Sequence, residues 1–468
     1  MKGQAPLDSA FFNLRGLTCA ALVCAARMSV YAETITVTNT NDSGPGSLRQ
    51  ALADATDGDT INFTVTGTIG LINGELLVAK NITISGPGAE NLAVNGNANS
   101  TVFHIASGDT VNISDLTITN GSAAGFGGGI HNDHAALTLN NCTITGNSGG
   151  GTYNDAEYVE GEPLSALLEV NNCLIADNSG NGIYNNAEGG GTATLEITDS
   201  ILSNNSGEAI HSHGFLCIFC GHGTATVQIT NTSITSNGGG IYTDTGELGP
   251  TTLSLGNSTV SGNAGAAVHV SVEATAAVSN STISGNSGGG IYTDFGAPTG
   301  GTSVVNSTMN DNSVEIWYGG AYIKNTIFKV SPGGHSIVSD GFSTIISDGY
   351  NVTSDDGAGY LNGPGDQINT DPQLGLLQDN GGPTFTHALL PGSPAIDAGD
   401  PNFVPPPLYD QRGPGFDRVR GGRIDIGSFE VQEITPTPTP TPTSTPRVTP
   451  TPRVAPTPWP RPTQVPRP

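Results

Sequence analysis

Between Lys80 and Lys324 the chain has neither lysine nor arginine, and from Glu33 to Ile434 it carries 40 acidic residues against 8 Lys or Arg. A surface of that sign repels phosphate backbones and anionic lipid, which excludes nucleic-acid binding. The missing cations also weaken any elimination chemistry on this stretch that would need a cationic group beside an acidic sugar carboxylate. No apolar run approaches the roughly 18 residues of a membrane span. A Gly-x-Ser-x-Gly elbow is missing, and the glycine clusters lack the Lys-Ser/Thr ending of a phosphate loop. No dense Asp-x-Asp-x-Asp calcium loop occurs, and no aromatic stripe marks a sugar platform.

What is abundant is glycine, 66 residues of it, set among Thr, Ile, Val and Asn in an imperfect repeat. Ile118, Ile144, Ile175, Leu202, Ile234, Val260, Ile283 and Met309 share one phase, here position zero, at intervals of 23 to 32 residues. Units that cannot bury their own apolar face must stack. Five residues earlier stand Ile113, Leu139, Val170, Ile197, Ile229, Leu255, Val278 and Val304. Asp or Asn lies between the two apolar positions, as at Asp115, Asn141, Asn172 and Asp199, where side chains that tolerate left-handed backbone make corners. A third apolar position follows about eight residues after zero, as at Ile183, Ile210 and Ile241. Segments this short and this rich in β-branched residues do not suit paired helices. The fold class expected is all-β: a parallel β-helix of three short strands per turn.

Three residues after zero stand Asn147, Asn178, Asn205, Asn237, Asn263, Asn286 and Asn312. Turned inward at a corner, they would form a structural ladder in which each amide bonds to the next coil. Residues 152–166 and 211–224 hold much of the length variation and read as inserts outside the ladder. The chain divides into a secretory signal (1–32), an N-terminal cap and first coil (33–80), β-helix repeats (81–345), irregular C-terminal coils or a cap (346–434) and a disordered Thr/Pro-rich tail (435–468) with 13 Pro in 34 residues. Ser47 and Gln50 have the spacing of a capping box ahead of a short helix in the cap. The mature chain is expected outside the cell, secreted or surface-associated.

Cys142 and Cys173 occupy one phase on successive turns, as stacked thiols or a disulfide. His211, His213, Cys217, Cys220 and His222 fall within 12 residues, as ligands of a structural zinc or, for the two cysteines, as a local disulfide. No cofactor is required by the sequence; zinc here and calcium on the Asp residues are the candidates. Asp177 and Asp311 share a phase, as do Asp115 and Asp199, but neither pair sits on adjacent coils, so they read as turn residues rather than a hydrolytic pair. His269 and His335 stand alone in sequence. Tyr153, Tyr184, Tyr242 and Tyr292 recur near the third strand as candidate glycan contacts, with stacking between coils as the alternative.

The run Ile283-Ser-Gly-Asn-Ser-Gly-Gly-Gly-Ile291-Tyr292 resembles the repeats of bacterial right-handed β-helix surface proteins, including polymorphic outer-membrane-protein-like and pectin-lyase-like solenoids. Asp42-Ser-Gly-Pro-Gly-Ser-Leu-Arg49-Gln50 resembles their N-terminal opening motif. Thr370-Asp-Pro, Pro394-Ala-Ile-Asp397-Ala-Gly399, Asp410-Gln-Arg412-Gly413 and Ile424-Asp-Ile-Gly-Ser-Phe-Glu430 are similar to the C-terminal region of exported proteins with variable anchoring tails. The resemblance implies the right hand of the helix and an exported, surface-associated protein. The leading expectation is therefore a noncatalytic scaffold for adhesion or glycan binding, whose partners are extracellular glycans or a cell-surface protein. The alternative is a polysaccharide-degrading β-helix enzyme, glycoside hydrolase or lyase, which a groove with converging Asp residues would favour.

Overall fold

The computed structural model describes residues 32–432, apart from 126, 161–164, 218–220, 247–250, 272 and 295–300. The segment expected as a secretory signal, apart from Ala32, the Thr/Pro-rich tail and Cys220 lie outside the described residues. Each coil gives one strand to each of three parallel sheets, of 13, 12 and 11 strands, and the sheets wrap one apolar interior. One coil runs Ala136–Asn140 in the first sheet, Thr143–Thr145 in the second and Thr152–Asp155 in the third. Matching positions lie directly over one another. Ile144 pairs with Ile118 below and Ile175 above, and Ile175 with Leu202. These residues are fully buried, so each column of Ile, Leu and Val is a continuous spine in which one side chain contributes about 1.5 to 3 kcal/mol of burial.

Polar columns hold the register between the apolar ones. The corner from first to second sheet is made by Asp115, Asn141, Asn172, Asp199, Asn231, Asn257, Asn280 and Asn306, all with φ between 49° and 58°, the region Asn and Asp enter most readily. The next residue inward is Cys142, Cys173, Ser200, Thr232, Ser258 or Ser281. The amide of each donates to the sulfur or hydroxyl of the next coil, from Cys142 N to Cys173 Sγ (3.3 Å) and Cys173 N to Ser200 Oγ (3.0 Å) onward. Both cysteines are free thiols, and they serve here as the acceptor that a hydroxyl supplies elsewhere. Cys173→Ser is accordingly expected to change stability by under about 1 kcal/mol, whereas Cys173→Val, which strands the Cys142 amide, should cost about 1 to 3 kcal/mol in urea denaturation.

The turn from second to third sheet carries the seven Asn residues from Asn147 to Asn312. The amide nitrogen of each of the first six donates to Oδ1 of the next at 2.8–3.0 Å, and each backbone N–H of the six reaches the same oxygen at 2.9–3.2 Å. A further inward column in the third sheet runs Asn132, Asn154, Asn185, Ser212, linked at 2.7, 2.7 and 3.1 Å.

The helix Leu48–Asp54 closes the first coil with Leu48, Ala51 and Leu52, and Ser47 Oγ accepts its Gln50 amide. Arg49 clamps it by bonding Asp42 and the carbonyls of Gly74 and Glu75. Beyond Val352 the chain folds back along the outer face of the second sheet. Gln411 bonds Thr259 and Thr282, Ser428 bonds Thr308, and His387 bonds Ser284. A small core of Val352, Leu374, Leu389, Ala395, Ile426 and Phe429 forms there with Ile327. No helix among the described residues is long and apolar enough to cross a membrane.

Candidate functional site on the third sheet

Third-sheet strands alternate inward and outward, so residues two apart share a face. On Thr152–Asp155 the inward Asn154 is buried, while Tyr153 is half-exposed and Asp155 joins it on the outer side. Because the coils are in register, the outward positions stack into two adjacent columns. The first is His104, His131, Tyr153, Tyr184, His211, Tyr242, His269 and Tyr292. Successive ring centroids lie 4.6 to 5.6 Å apart. Two residues further on, the second column runs Asp133, Asp155, Asn186, His213 and Asp244, and Asp294 follows beyond Ser271.

The columns are coupled diagonally, histidine on one coil to aspartate on the next. His104 Nε2 lies 3.4 Å from Asp133, His131 Nε2 3.3 Å from Asp155, His211 Nε2 3.6 Å from Asp244, and His269 Nε2 3.3 Å from Asp294. His134 adds a second contact to Asp133 at 2.6 Å, and His213 contacts Asp244. The hydrogen bond from His104, reinforced by His134 against the cost of burial, holds the Asp133 carboxyl at about 2. His104 in turn is raised, chiefly by its bond to Asp133. Burial first, then neighbouring carboxylates such as Asp155 and Asp244, push the Tyr153 and Tyr184 hydroxyls up. The tyrosines are thus neutral at ordinary pH, and Asp133 is held charged.

Two clusters bring three such groups to one point: His131, Asp133 and Asp155, and His211, His213 and Asp244. In each, one candidate atom per residue lies within 4.8 Å of the others. A cleft of about 410 Å³ abuts the Tyr292 end, lined by Gly288, Asp311, Glu315 and His335, while another of about 490 Å³ lies on the first sheet at Thr226, Leu253 and Ser303.

Several expectations change here. Residues 152–166 and 211–224 are only partly inserts. Thr152–Asp155 and Glu208–Gly214 are regular third-sheet strands that carry Tyr153, Asp155, His211 and His213. His269 is a rung of the column rather than an isolated residue, and histidine supplies four of the eight rungs of an aromatic stripe that tyrosine alone does not reveal. The zinc candidates separate: His211 and His213 meet Asp244 on the next coil. The side chains of Cys217 and His222, like Cys220, fall outside what is described. Asp177, Asp311, Asp115 and Asp199 all have positive φ and are turn residues; Asp133 and Asp155 are carboxylates that do meet on adjacent coils of the third sheet.

No protein-family model matches the chain, and no curated protein matches it in sequence. Among solved structures it is similar to the pectate lyase Pel9A, at 12% identity over 86% of this chain and 98% of that one, with a TM-score of 0.44. It is also similar to the PL6-family alginate lyase AlyGC, at 14% identity over 76% of this chain and 55% of that one (TM-score 0.45). The A-module of the Azotobacter vinelandii mannuronan C-5 epimerase AlgE4 matches at 13% identity over 72% of this chain and 91% of that module (TM-score 0.42). The expectation of a noncatalytic adhesion scaffold does not stand. It was drawn from the family resemblance, whereas the third sheet brings Asp133, Asp155 and His131 together on adjacent coils, the convergence of carboxylates that the alternative, polysaccharide-degrading reading asked for. The chain is a right-handed parallel β-helix, with three parallel sheets and one strand per coil in each.

Proposed function

We propose that the protein is a polysaccharide-degrading enzyme that lays an extended glycan along the His/Tyr column and hydrolyses it at Asp133 and Asp155. The observation that carries this reading is the carboxylate pair. The two residues are in register on adjacent coils, with oxygens within 4.8 Å of each other and of His131. Retaining glycosidases place their two carboxyl groups roughly 5 to 5.5 Å apart. Asp133, held ionised, is the nucleophile; Asp155, facing His131, is the acid–base partner. The rings pack against one another from coil to coil at 4.6 to 5.6 Å, and this rung spacing is close to the length of one sugar unit in an extended chain. Neutral glycans suit a face whose coils contain no Lys or Arg from 81 to 323. A leader-like N-terminus supports action outside the cell.

A second reading, elimination on a uronic-acid glycan, is favoured by one observation: His211, His213 and Asp244 converge and could recruit the positive charge the face lacks. The test is to incubate the purified protein with a panel of neutral and acidic polysaccharides and follow new reducing ends and unsaturated sugar ends. Hydrolysis yields the first without the second, elimination yields both, and neither product from any member of the panel would overturn the enzymatic reading.

A further inference from the structure

We propose that His211, His213 and Asp244 form a binding site for one divalent ion of the zinc class, in which two imidazoles and a carboxylate coordinate the ion and a fourth position stays open. The inference goes beyond glycan cleavage and does not depend on it.

Backbone register alone builds the cluster. His211 and His213 are alternate residues of the strand Glu208–Gly214, so both point outward, and Asp244, the last residue of Gly239–Asp244, lies directly over His213. Their candidate atoms lie within 4.8 Å of one another. His211 Nε2 and Asp244 Oδ2 are 3.6 Å apart. That is long for a hydrogen bond, but close to the roughly 3.4 Å between ligand atoms of a tetrahedral zinc site with bonds near 2.1 Å. His211 Nε2 is also shut off from solvent and has no hydrogen-bond partner, an unusual condition for a buried ring nitrogen. An ion between the three residues would satisfy it.

The surroundings orient the ligands. His211 is held edge-on between the Tyr184 and Tyr242 rings, at 4.8 and 4.7 Å between centroids. The Asp244 carboxylate contacts His213 and faces His211, and completes the set with an oxygen ligand. Imidazole selects against calcium and magnesium, which prefer all-oxygen shells, and in favour of zinc and its neighbours. The other cluster, His131 with Asp133 and Asp155, offers only one imidazole and is assigned above to cleavage.

The experiment is calorimetric titration of the full-length protein, stripped with a chelator, with zinc and separately with calcium. The expected result is one zinc ion per chain, bound far more tightly than calcium, with a rise in melting temperature. Asp244→Asn, which preserves shape, and the double change His211→Ala with His213→Ala should each weaken zinc by more than the roughly 10- to 100-fold that outer-shell changes produce. His335→Ala should leave it unchanged. No saturable zinc binding, or binding of equal strength in the double variant, would overturn the site. Glycan cleavage measured on the same samples is a separate readout, so failure of one proposal is not mistaken for failure of the other.

Discussion

Replacing Asn205 with alanine is expected to destabilise the solenoid by roughly 3 to 5 kcal/mol. Its Oδ1 accepts both the side-chain and backbone amides of Asn178, at 2.9 and 3.2 Å, and its Nδ2 donates to the Ile175 carbonyl at 3.1 Å and to Asn237 Oδ1 at 2.9 Å. All of these groups are buried, so truncation strands donors and acceptors on the two flanking coils where water cannot replace the partner, at about 1 to 3 kcal/mol each before relaxation. Gln228→Ala, on the exposed side of a first-sheet strand, should stay within about 0.5 kcal/mol. Urea denaturation, with hydrogen exchange at the Asn178 amide as a local probe, checks both. A cost below about 1 kcal/mol for Asn205→Ala would mean that the column is decoration on an apolar spine.

The second large effect concerns the carboxylate pair. Asp133→Asn keeps the shape of the side chain but removes the nucleophile, and should lower glycan turnover by about 100- to 10,000-fold while leaving glycan affinity within a few-fold. The same variant should alter the acid limb of stability. A carboxyl lowered in the folded state from its ordinary 3.8 to about 2 contributes stability that is complete above pH 3.8 and is lost as pH falls towards 2. At partial exposure this amounts to about 1 to 2 kcal/mol, and that acid-sensitive component should be missing from Asp133→Asn. His104 works in the opposite direction: raised above 6.5, it stabilises fully below that value and loses its contribution as pH rises through its folded value. Both effects should appear in melting temperature against pH.

The solenoid was legible in the chain because the interior imposes a phase. Ile144, Ile175 and Leu202 recur where alternate residues must point inward, and Asp or Asn recurs at the corner where the backbone turns left-handed. The outward columns follow the same geometry but answer to no packing rule, so their residue types vary and the pattern dissolves into histidine, tyrosine and aspartate. A usable signal was nonetheless present. Tyr153, Tyr184, His211, His269 and Tyr292 each stand nine residues after position zero of their coil, and Asp155, Asn186, His213 and Asp294 stand eleven after it. Reading His211 and His213 together with the cysteines that follow them hid the first relation, because proximity in sequence suggested a local ligand loop where the strand register supplies Asp244 instead. Asp133 escaped for another reason. Its coil has a longer turn between second and third strands, from Thr119 to Ile130, so it falls out of phase with its neighbours although it pairs with Asp155 in space.

The C-terminal segment shows the same limit. Gln411, His387 and Ser428 meet second-sheet residues more than a hundred positions away, and no local pattern announces a strap that runs back along a sheet it has already left. It covers part of that sheet's outer face, from Thr259 to Thr308, while the His/Tyr and Asp columns lie on the third sheet.

Hydrogen–deuterium exchange with and without an oligosaccharide from the most readily cleaved polysaccharide tests the central claim directly. The account predicts slowed exchange in the third-sheet strands Ile130–Asp133, Thr152–Asp155, Ile183–Ala187 and Glu208–Gly214, with the first sheet unchanged. Protection confined to first-sheet strands such as Thr224–Thr230, or a glycan that is cleaved while the third sheet exchanges as before, would contradict it.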